Sequence, residues 1–410
     1  MTPAALVTCG LLILGVLAGA PGLVVIAVLM LATSWLSTLW SRHGLAGVTY
    51  ERRLEHDRAV WGDEVELTVT IDNAKLLPLA WIEAEDFASR DLAIRGRGLI
   101  PSSRPGLAIL QNLYTLGPYE QVRRTFHVVA DHRGLYRFDS VRLSVADLFG
   151  RNIARSEEPN PATFLVRPRT VPVRTQTGSV VPLGTRRARR GQIEDPSLFA
   201  GVRPFQPGDP RRRIHERASA RVGRPMSKRF EPSTARQALI ALDIQTHDDP
   251  IWLLAYDEDL VESLAVAAAS LARQLLADGA ACGLAVNGWT YSLARTGFVP
   301  PGTGIDQLTR IADALGRTSS TASLPFAQLL AGLPSRVAPG TLVFALSSRE
   351  PLAIVPVVRR LRSSGFEVRH IALGPHARAH AARGRRLGIE TFPARLDPDW
   401  RTSDALTIAI

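Results

Sequence analysis

Hydrophobic and polar positions change rhythm three times along this chain. From Ala4 to Trp40 no charged side chain occurs, and the run is interrupted only at Pro21-Gly22. As one helix this stretch would be about 55 Å long, well beyond a bilayer core of about 30 Å. Two short helices over residues 4–20 and 23–40, joined by a tight Pro-Gly turn, are therefore expected. A cleaved leader is the alternative, because Leu17-Ala18-Gly19-Ala20 resembles a small-residue cleavage site. No Lys or Arg precedes the apolar core and a second apolar run follows at once, which favours a retained transmembrane helical hairpin over 1–47. Arg42, His43, Arg52 and Arg53 come next, and the positive-inside bias then places the remainder in the cytoplasm of a two-pass protein of the inner (plasma) membrane. Trp35 and Trp40 suit the interfacial belt.

Past the apolar run the period becomes two. In Glu64-Val65-Glu66-Leu67-Thr68-Val69-Thr70-Ile71 apolar and polar residues alternate, as in a strand with one buried face, and Asp72-Asn73 supplies turn chemistry. Further strands are expected over 79–85, 121–130 and, after His132-Arg133-Gly134, 136–145. Short strands separated by Gly, Pro and Asn, with no helical period between them, predict an antiparallel β-sandwich over 48–170. It holds no catalytic constellation and reads as a packing and spacing module.

The third rhythm alternates strand and helix over 236–410. An apolar strand over 237–244 contains Asp243 near its end. A helical stretch over 249–278 carries Leu260, Leu264, Ala267, Ala268, Leu271 and Leu275 at helical spacing, and Gly279 ends it. A strand over 282–286 leads into the hairpin-like Asn287-Gly288-Trp289. Helices over 305–315 and 324–333, a strand over 341–346, a helix over 355–364, a strand over 366–373 and a helix over 376–387 complete the pattern. Such alternation predicts a mainly parallel, Rossmann-like α/β sheet covered on both faces. Ligands of such sheets bind at the carboxyl ends of the strands, which singles out Asp243 and Ser347.

Composition changes this picture in one place. The chain has 410 residues, is 46% hydrophobic and carries a formal net charge of +11. Between Arg186 and Arg229 thirteen Lys or Arg face four acids, a local charge of +9, so 171–235 reads as an Arg-rich linker. Such a cluster suits phosphates, an anionic membrane or an acidic protein partner. The plain alternative is a solvated face, since nearly all cations here are Arg and Lys occurs only at 75 and 228. No aromatic residues interleave the basic ones for base stacking, which argues against nucleic acid. Cys9 in the apolar run and Cys282 in a buried strand do not suit a disulfide, and a reducing compartment fits.

The basic stretch also carries a motif set. Phe205-x-Pro207-Gly208-Asp209, Arg212-Arg213-Ile214, Arg217-Ala218-Ser219-Ala220-Arg221 and Lys228-x-Phe230 together resemble the signature of the bacterial domain-of-unknown-function family fifty-eight. The paired apolar helices, Arg133-Gly134-x-Tyr136 and Asp147-x-Phe149-Gly150 agree with it, so the resemblance covers nearly the whole chain. One departure is Ile214-His215-Glu216-Arg217, where the family usually has Ile-Asp-Trp-Lys. The resemblance implies a von Willebrand factor A-like domain after the signature. It also implies MoxR-type AAA+ ATPases as partners, with a transglutaminase-like membrane protein in the same system. Asp209, Arg212, Arg213, Arg217, Arg221 and Lys228 are then the expected partner-binding residues.

A von Willebrand A domain often holds Mg²⁺ through Asp-x-Ser-x-Ser, hard oxygen ligands for a hard cation. This chain reads Asp243-Ile244-Gln245-Thr246-His247, so Asp243 matches while Gln and His take the serine positions, and Ser347-Ser348-Arg349-Glu350 stands where a later acid belongs. Gln245 has a carbonyl to offer, and Asp248 or Glu350 could substitute, but neutral His is a poor Mg²⁺ ligand and Arg349 repels a cation. Asp243 is thus the one candidate metal residue of a degraded site, and no cofactor is expected. A triad of Ser347, His247 and Asp243 lacks a Gly-x-Ser-x-Gly elbow. No phosphate loop or His-Glu-x-x-His occurs, Pro300-Pro301-Gly302-Thr303-Gly304 lacks the lysine, and His370 and His376 read as ordinary strand and helix-start residues. The expectation is a membrane-anchored adaptor or assembly factor without intrinsic catalysis. A scaffold on anionic lipid and a metal-dependent adhesion-type module are the alternatives.

Overall fold

The computed structural model describes residues 3–146, 153–175, 194–206, 214–232, 237–248, 250–253, 256–290, 297–397 and 399–409. Two apolar helices come first, α1 (Pro3–Leu17) and α2 (Pro21–His43). Pro21 opens α2, where a missing N–H is harmless, and Arg42 and His43 in its last turn complement the free carbonyls. Between the helices Gly19 takes a φ of 63°, and the Ala20 N–H donates back to the Gly15 carbonyl at 3.0 Å. Among the described residues two helices are long and apolar enough to cross a bilayer. The window Pro21–Thr38 is 11% buried, whereas Glu258–Ala277 is 67% buried and is a core helix of the α/β region.

The chain divides into two units, Met1–Arg167 and Pro168–Ile410. In the first, ten strands follow α2: β1 (Val48–Leu54), β2 (Arg58–Val60), β3 (Glu64–Asn73), β4 (Leu79–Ser89), β5 (Ala93–Ile94), β6 (Ile100–Pro101), β7 (Leu107–Leu116), β8 (Gln121–Val129), β9 (Gly134–Ala146) and β10 (Ile153–Arg167). They form two sheets, ordered β1-β3-β8-β5 and β2-β10-β9-β4-β7-β6, antiparallel except for β2 beside β10. Val65, Leu67, Val69 and Ile71 of β3 point inward by the period of two and share one apolar core with Ile82, Leu110, Phe138 and Phe164 of the other sheet. Periodicity announced β3, β4, β8 and β9 but not β1, β2, β5, β6, β7 or β10. β10 contains Pro159 and Pro161, which cannot donate to a ladder, and its register against β9 shifts between Pro159 and Ala162.

The second unit adds β11 (Val173–Thr175), β12 (Glu194–Pro204), α3 (Glu216–Val222), β13 (Met226–Pro232), β14 (Gln237–Leu242), α4 (Glu258–Ala277), β15 (Ala281–Val286), β16 (Gly288–Thr290) and β17 (Gly297–Gly302). After these come α5 (Ile305–Gly316), β18 (Thr318–Ala322), α6 (Phe326–Ala331), β19 (Leu342–Ser347), α7 (Val355–Ser363), β20 (Glu367–Leu373), α8 (Ala377–Arg386), β21 (Thr391–Leu396) and β22 (Leu406–Ile408). The main sheet runs β11-β22-β21-β20-β19-β14-β15-β17. Its five central strands, β21, β20, β19, β14 and β15, are parallel, while β17 runs antiparallel to β15 and β22 antiparallel to β21. Phe326, Leu330, Val358 and Leu361 of the helices pack on Leu239, Val343 and Val368 of the strands.

Three expectations are corrected here. The stretch 171–235 is not a plain linker: β11 joins the main sheet, and β12 pairs antiparallel with β13 around α3. The Val171 N–H donates to Ser270 Oγ at 2.9 Å, and Arg169 donates to the Ser403 carbonyl at 2.8 Å, so the entering chain is tied to the α/β core. Helix α4 begins at Glu258 rather than 249, because Asp257 caps it by accepting the Leu260 N–H at 3.1 Å. Asn287-Gly288-Trp289 is no hairpin turn but leads into β16, which pairs with β18. A Cβ on Gly288 would lie 2.4 Å from Thr318 Cγ2 and 2.5 Å from Ile244 Cδ1, so only glycine fits under that pair.

Candidate functional site at the carboxyl edge of the sheet

Among the expected partner-binding residues, Asp209, Arg212 and Arg213 lie outside the described residues. Arg217 and Arg221 are exposed on α3, Lys228 is half-buried on β13, and none of the three forms an ion pair with a described residue. The helix is firmly placed for its seven residues. His215 Nδ1 accepts the Ala218 N–H at 3.1 Å as the N-cap. Ser219 Oγ donates to the His215 carbonyl at 3.0 Å and accepts the Met226 N–H at 2.9 Å, pinning α3 to β13. Gly223, at φ 69°, ends the helix.

Asp243 follows β14 directly and is buried. Its N–H donates to the Leu346 carbonyl at 2.9 Å, which fixes it against the end of β19. Asp243 Oδ1 accepts Asn287 Nδ2 at 2.7 Å and the Gln245 N–H at 3.1 Å. Asn287 also accepts the Ile244 N–H at 2.9 Å and donates to the Leu324 carbonyl at 3.2 Å. Arg349 Nε stands 3.4 Å from Asp243 Oδ2. Burial pushes the Asp243 carboxyl above the usual range, and Arg349 and Asn287 pull against that rise.

Ser347 and Asp243 share this edge, but Ser347, His247 and Asp243 form no triad. Ser347 Oγ lies 2.9 Å from Nε2 of His370, two strand positions back on the neighbouring β20, and both residues are buried. Burial, and after it the nearby His380, push His370 down to about 3, so its ring is neutral. His247 Nδ1 instead meets Thr246 Oγ1 at 3.0 Å. His376 is the N-cap residue of α8. Cys9 and Cys282 are free thiols.

The Mg²⁺ that the resemblance implies does not fit this donor set. Asp243 faces a guanidinium, Gln245 and Asn287 turn N–H groups toward it, and among the described residues no three His, Cys, Asp or Glu side chains gather to hold a metal.

Comparison with known proteins places part of this edge, Asp243 and Asn287, inside a recognised segment. Residues 201–333 match the family of proteins of unknown function DUF58. The DUF58 segment thus runs from β12 through α3, β14, Asp243 and Asn287 to the end of α6, and stops short of Ser347 and Arg349. A curated relative, the uncharacterized protein YeaD of Bacillus subtilis (strain 168), is 24% identical over 242 residues, which cover 57% of this chain and 54% of that protein. The chain therefore spans about half the length of the curated relative it matches. Among solved structures, the CARDB domain of the PF1109 protein from Pyrococcus furiosus is 16% identical and covers 29% of this chain and 86% of that one, at a TM-score of 0.19. The sporulation control protein Spo0M from Bacillus subtilis is 16% identical over 30% of this chain and 49% of its own, at a TM-score of 0.18. Scores this low carry no argument.

Sequence reasoning missed Asn287 and His370 as members of this edge. Asn287 had a usable signal, a buried polar residue at the carboxyl end of an apolar strand. His370 had none, because its pairing with Ser347 depends on the register of two parallel strands.

Proposed function

We propose that this chain is a membrane-anchored, cytoplasm-facing adaptor or assembly factor that works with a MoxR-type AAA+ ATPase and carries out no catalysis of its own. In this reading α1 and α2 form a transmembrane hairpin, supported by side chains such as Leu14, Leu17, Val25 and Leu29 that stand exposed on them. The two-sheet region is a β-sandwich spacer, and the α/β region is a von Willebrand A-like binding domain. The observation that carries the proposal is α3, a short helix pinned to β13 that holds Arg217 and Arg221 in solvent with no ion pair among the described residues, within a stretch of local charge +9. Unpaired guanidinium groups on a fixed element suit carboxylates of an acidic protein surface.

The test is capture of a MoxR-type AAA+ ATPase by the full chain. Changing Arg212, Arg213 and Arg217 together to Glu is expected to abolish capture, and unchanged capture would remove the idea. The same unpaired cations support a second reading, a scaffold on anionic lipid. It predicts salt-sensitive co-sedimentation of residues 48–410 with anionic vesicles, which the adaptor reading does not.

A further inference from the structure

The main sheet reverses its strand order between β14 and β19. The chain passes from β14 to β15 on one side and returns to β19 on the other. In sheets of this kind the crevice outside such a reversal is where ligands bind. Here it is filled by the protein's own charges. Arg349 places Nε 3.4 Å from Asp243 Oδ2, and Nη1 3.3 Å from the His247 carbonyl and 3.8 Å from Asp248 Oδ1. One guanidinium therefore bridges the buried carboxylate, the loop after β14 and an exposed carboxylate, while its own side chain is 15% exposed.

Asp243 already faces donors on both oxygens. Oδ1 is taken by Asn287 and the Gln245 N–H, and Oδ2 faces Arg349. Mg²⁺ needs about six oxygens at about 2.1 Å, and the groups around this carboxylate are donors. We infer that Arg349 is the permanent cation of this edge, taking inside the protein the electrostatic role of a divalent ion, so that the loops after β14 and β19 hold their arrangement without metal. A partner that docks here meets His247 and Asp248 on a surface already set, and chelators leave that surface unchanged. This inference does not depend on the adaptor reading.

The test uses the full chain in detergent. Free Mn²⁺ is followed by electron paramagnetic resonance during titration, and thermal unfolding is measured in EDTA and in excess Mg²⁺. The expected result is no bound Mn²⁺ and one unfolding midpoint in both solutions, because a ligand that binds the native state must raise it. A double-mutant cycle of Asp243→Asn with Arg349→Gln should show coupling of about tenfold or more in the unfolding constant. Stoichiometric Mn²⁺ binding that Asp243→Asn removes would overturn the inference, and so would additive single effects. Should either variant fail to fold, the titration of the unmodified chain decides by itself.

Discussion

Two buried aspartate–arginine pairs, one in each unit, use the same chemistry at different tightness. In the two-sheet unit Asp86 sits within β4 and Arg52 within β1, and both side chains are fully buried. Arg52 bonds Asp86 and the Asn160 carbonyl, lies 4.3 Å from the Phe138 ring centroid, and Tyr50 donates to Asp86 at 2.9 Å. In the α/β unit Asp243 and Arg349 stand just past strand ends, 3.4 Å apart, and the arginine reaches solvent. Burial raises both carboxyls and a guanidinium opposes the rise in each. The difference lies in what holds the partners. Ladder bonds on β1 and β4 fix the first pair and tie one sheet to the other, whereas loops at a sheet edge present the second. The first is therefore a lock of the fold, and the second a feature of a surface.

The largest effect expected from this contrast is that of Arg52→Gln. It leaves Asp86 buried with Tyr50 as its main remaining donor, and breaking such a pair costs about 3–5 kcal/mol. Arg349→Gln should cost less, about 1–3 kcal/mol, because Asp243 keeps two donors and the arginine it loses is itself partly exposed. Denaturant unfolding of both variants measures this, and equal losses would erase the distinction between lock and surface.

How far each pair was legible in the chain follows from the same contrast. Local patterns carried through: the alternation at Glu64–Ile71 lies in β3, which runs on through the Asp72-Asn73 expected as a turn, and helix α5 lies within one residue of its expected limits. Asp243 and Ser347 were found because strand ends are local signals. Arg349 was noticed only as a charge hostile to metal, and its contact with Asp243 needs two strands placed side by side. Arg52 read as a membrane-flanking cation, although the strand that carries it turns it inward to Asp86. β10 was hidden by its prolines, and neither β12, broken by Pro196 and Gly201, nor β13, with Lys228 and Arg229 side by side, shows an alternation.

A second pair of effects probes the neutral donors. Asn287→Ala removes a donor to Asp243, an acceptor for the Ile244 N–H and a donor to the Leu324 carbonyl. Tyr50→Phe removes one donor to Asp86. The first should cost about 2–3 kcal/mol and the second about 1.5 kcal/mol, since a bond to a charged group is worth more than an ordinary one but three losses exceed one. A reversed order would mean that the edge, not the sheet-to-sheet lock, holds its aspartate loosely enough to spare a partner.

The smallest effect distinguishes the edge by pH. His370 is buried against Ser347, its Nδ1 meets no partner, and its folded value is about 3, below the ordinary value of 6.5. Above pH 6.5 the ring is neutral in both states and has no influence. As pH falls below 6.5 the unfolded chain binds a proton that the folded chain refuses, so stability drops until about pH 3. The raised carboxyls of Asp86 and Asp243 act with the opposite sign, gaining stability as pH falls through their folded values. Comparing the unmodified chain with His370→Gln cancels those carboxyls and isolates the histidine. Between pH 7 and 5.5 the unmodified chain should lose about 1 kcal/mol more than the variant, a full proton being worth about 1.4 kcal/mol per pH unit. Parallel pH profiles for the two proteins would show that the ring takes up its proton in place, with Ser347 and the space around it admitting the charge.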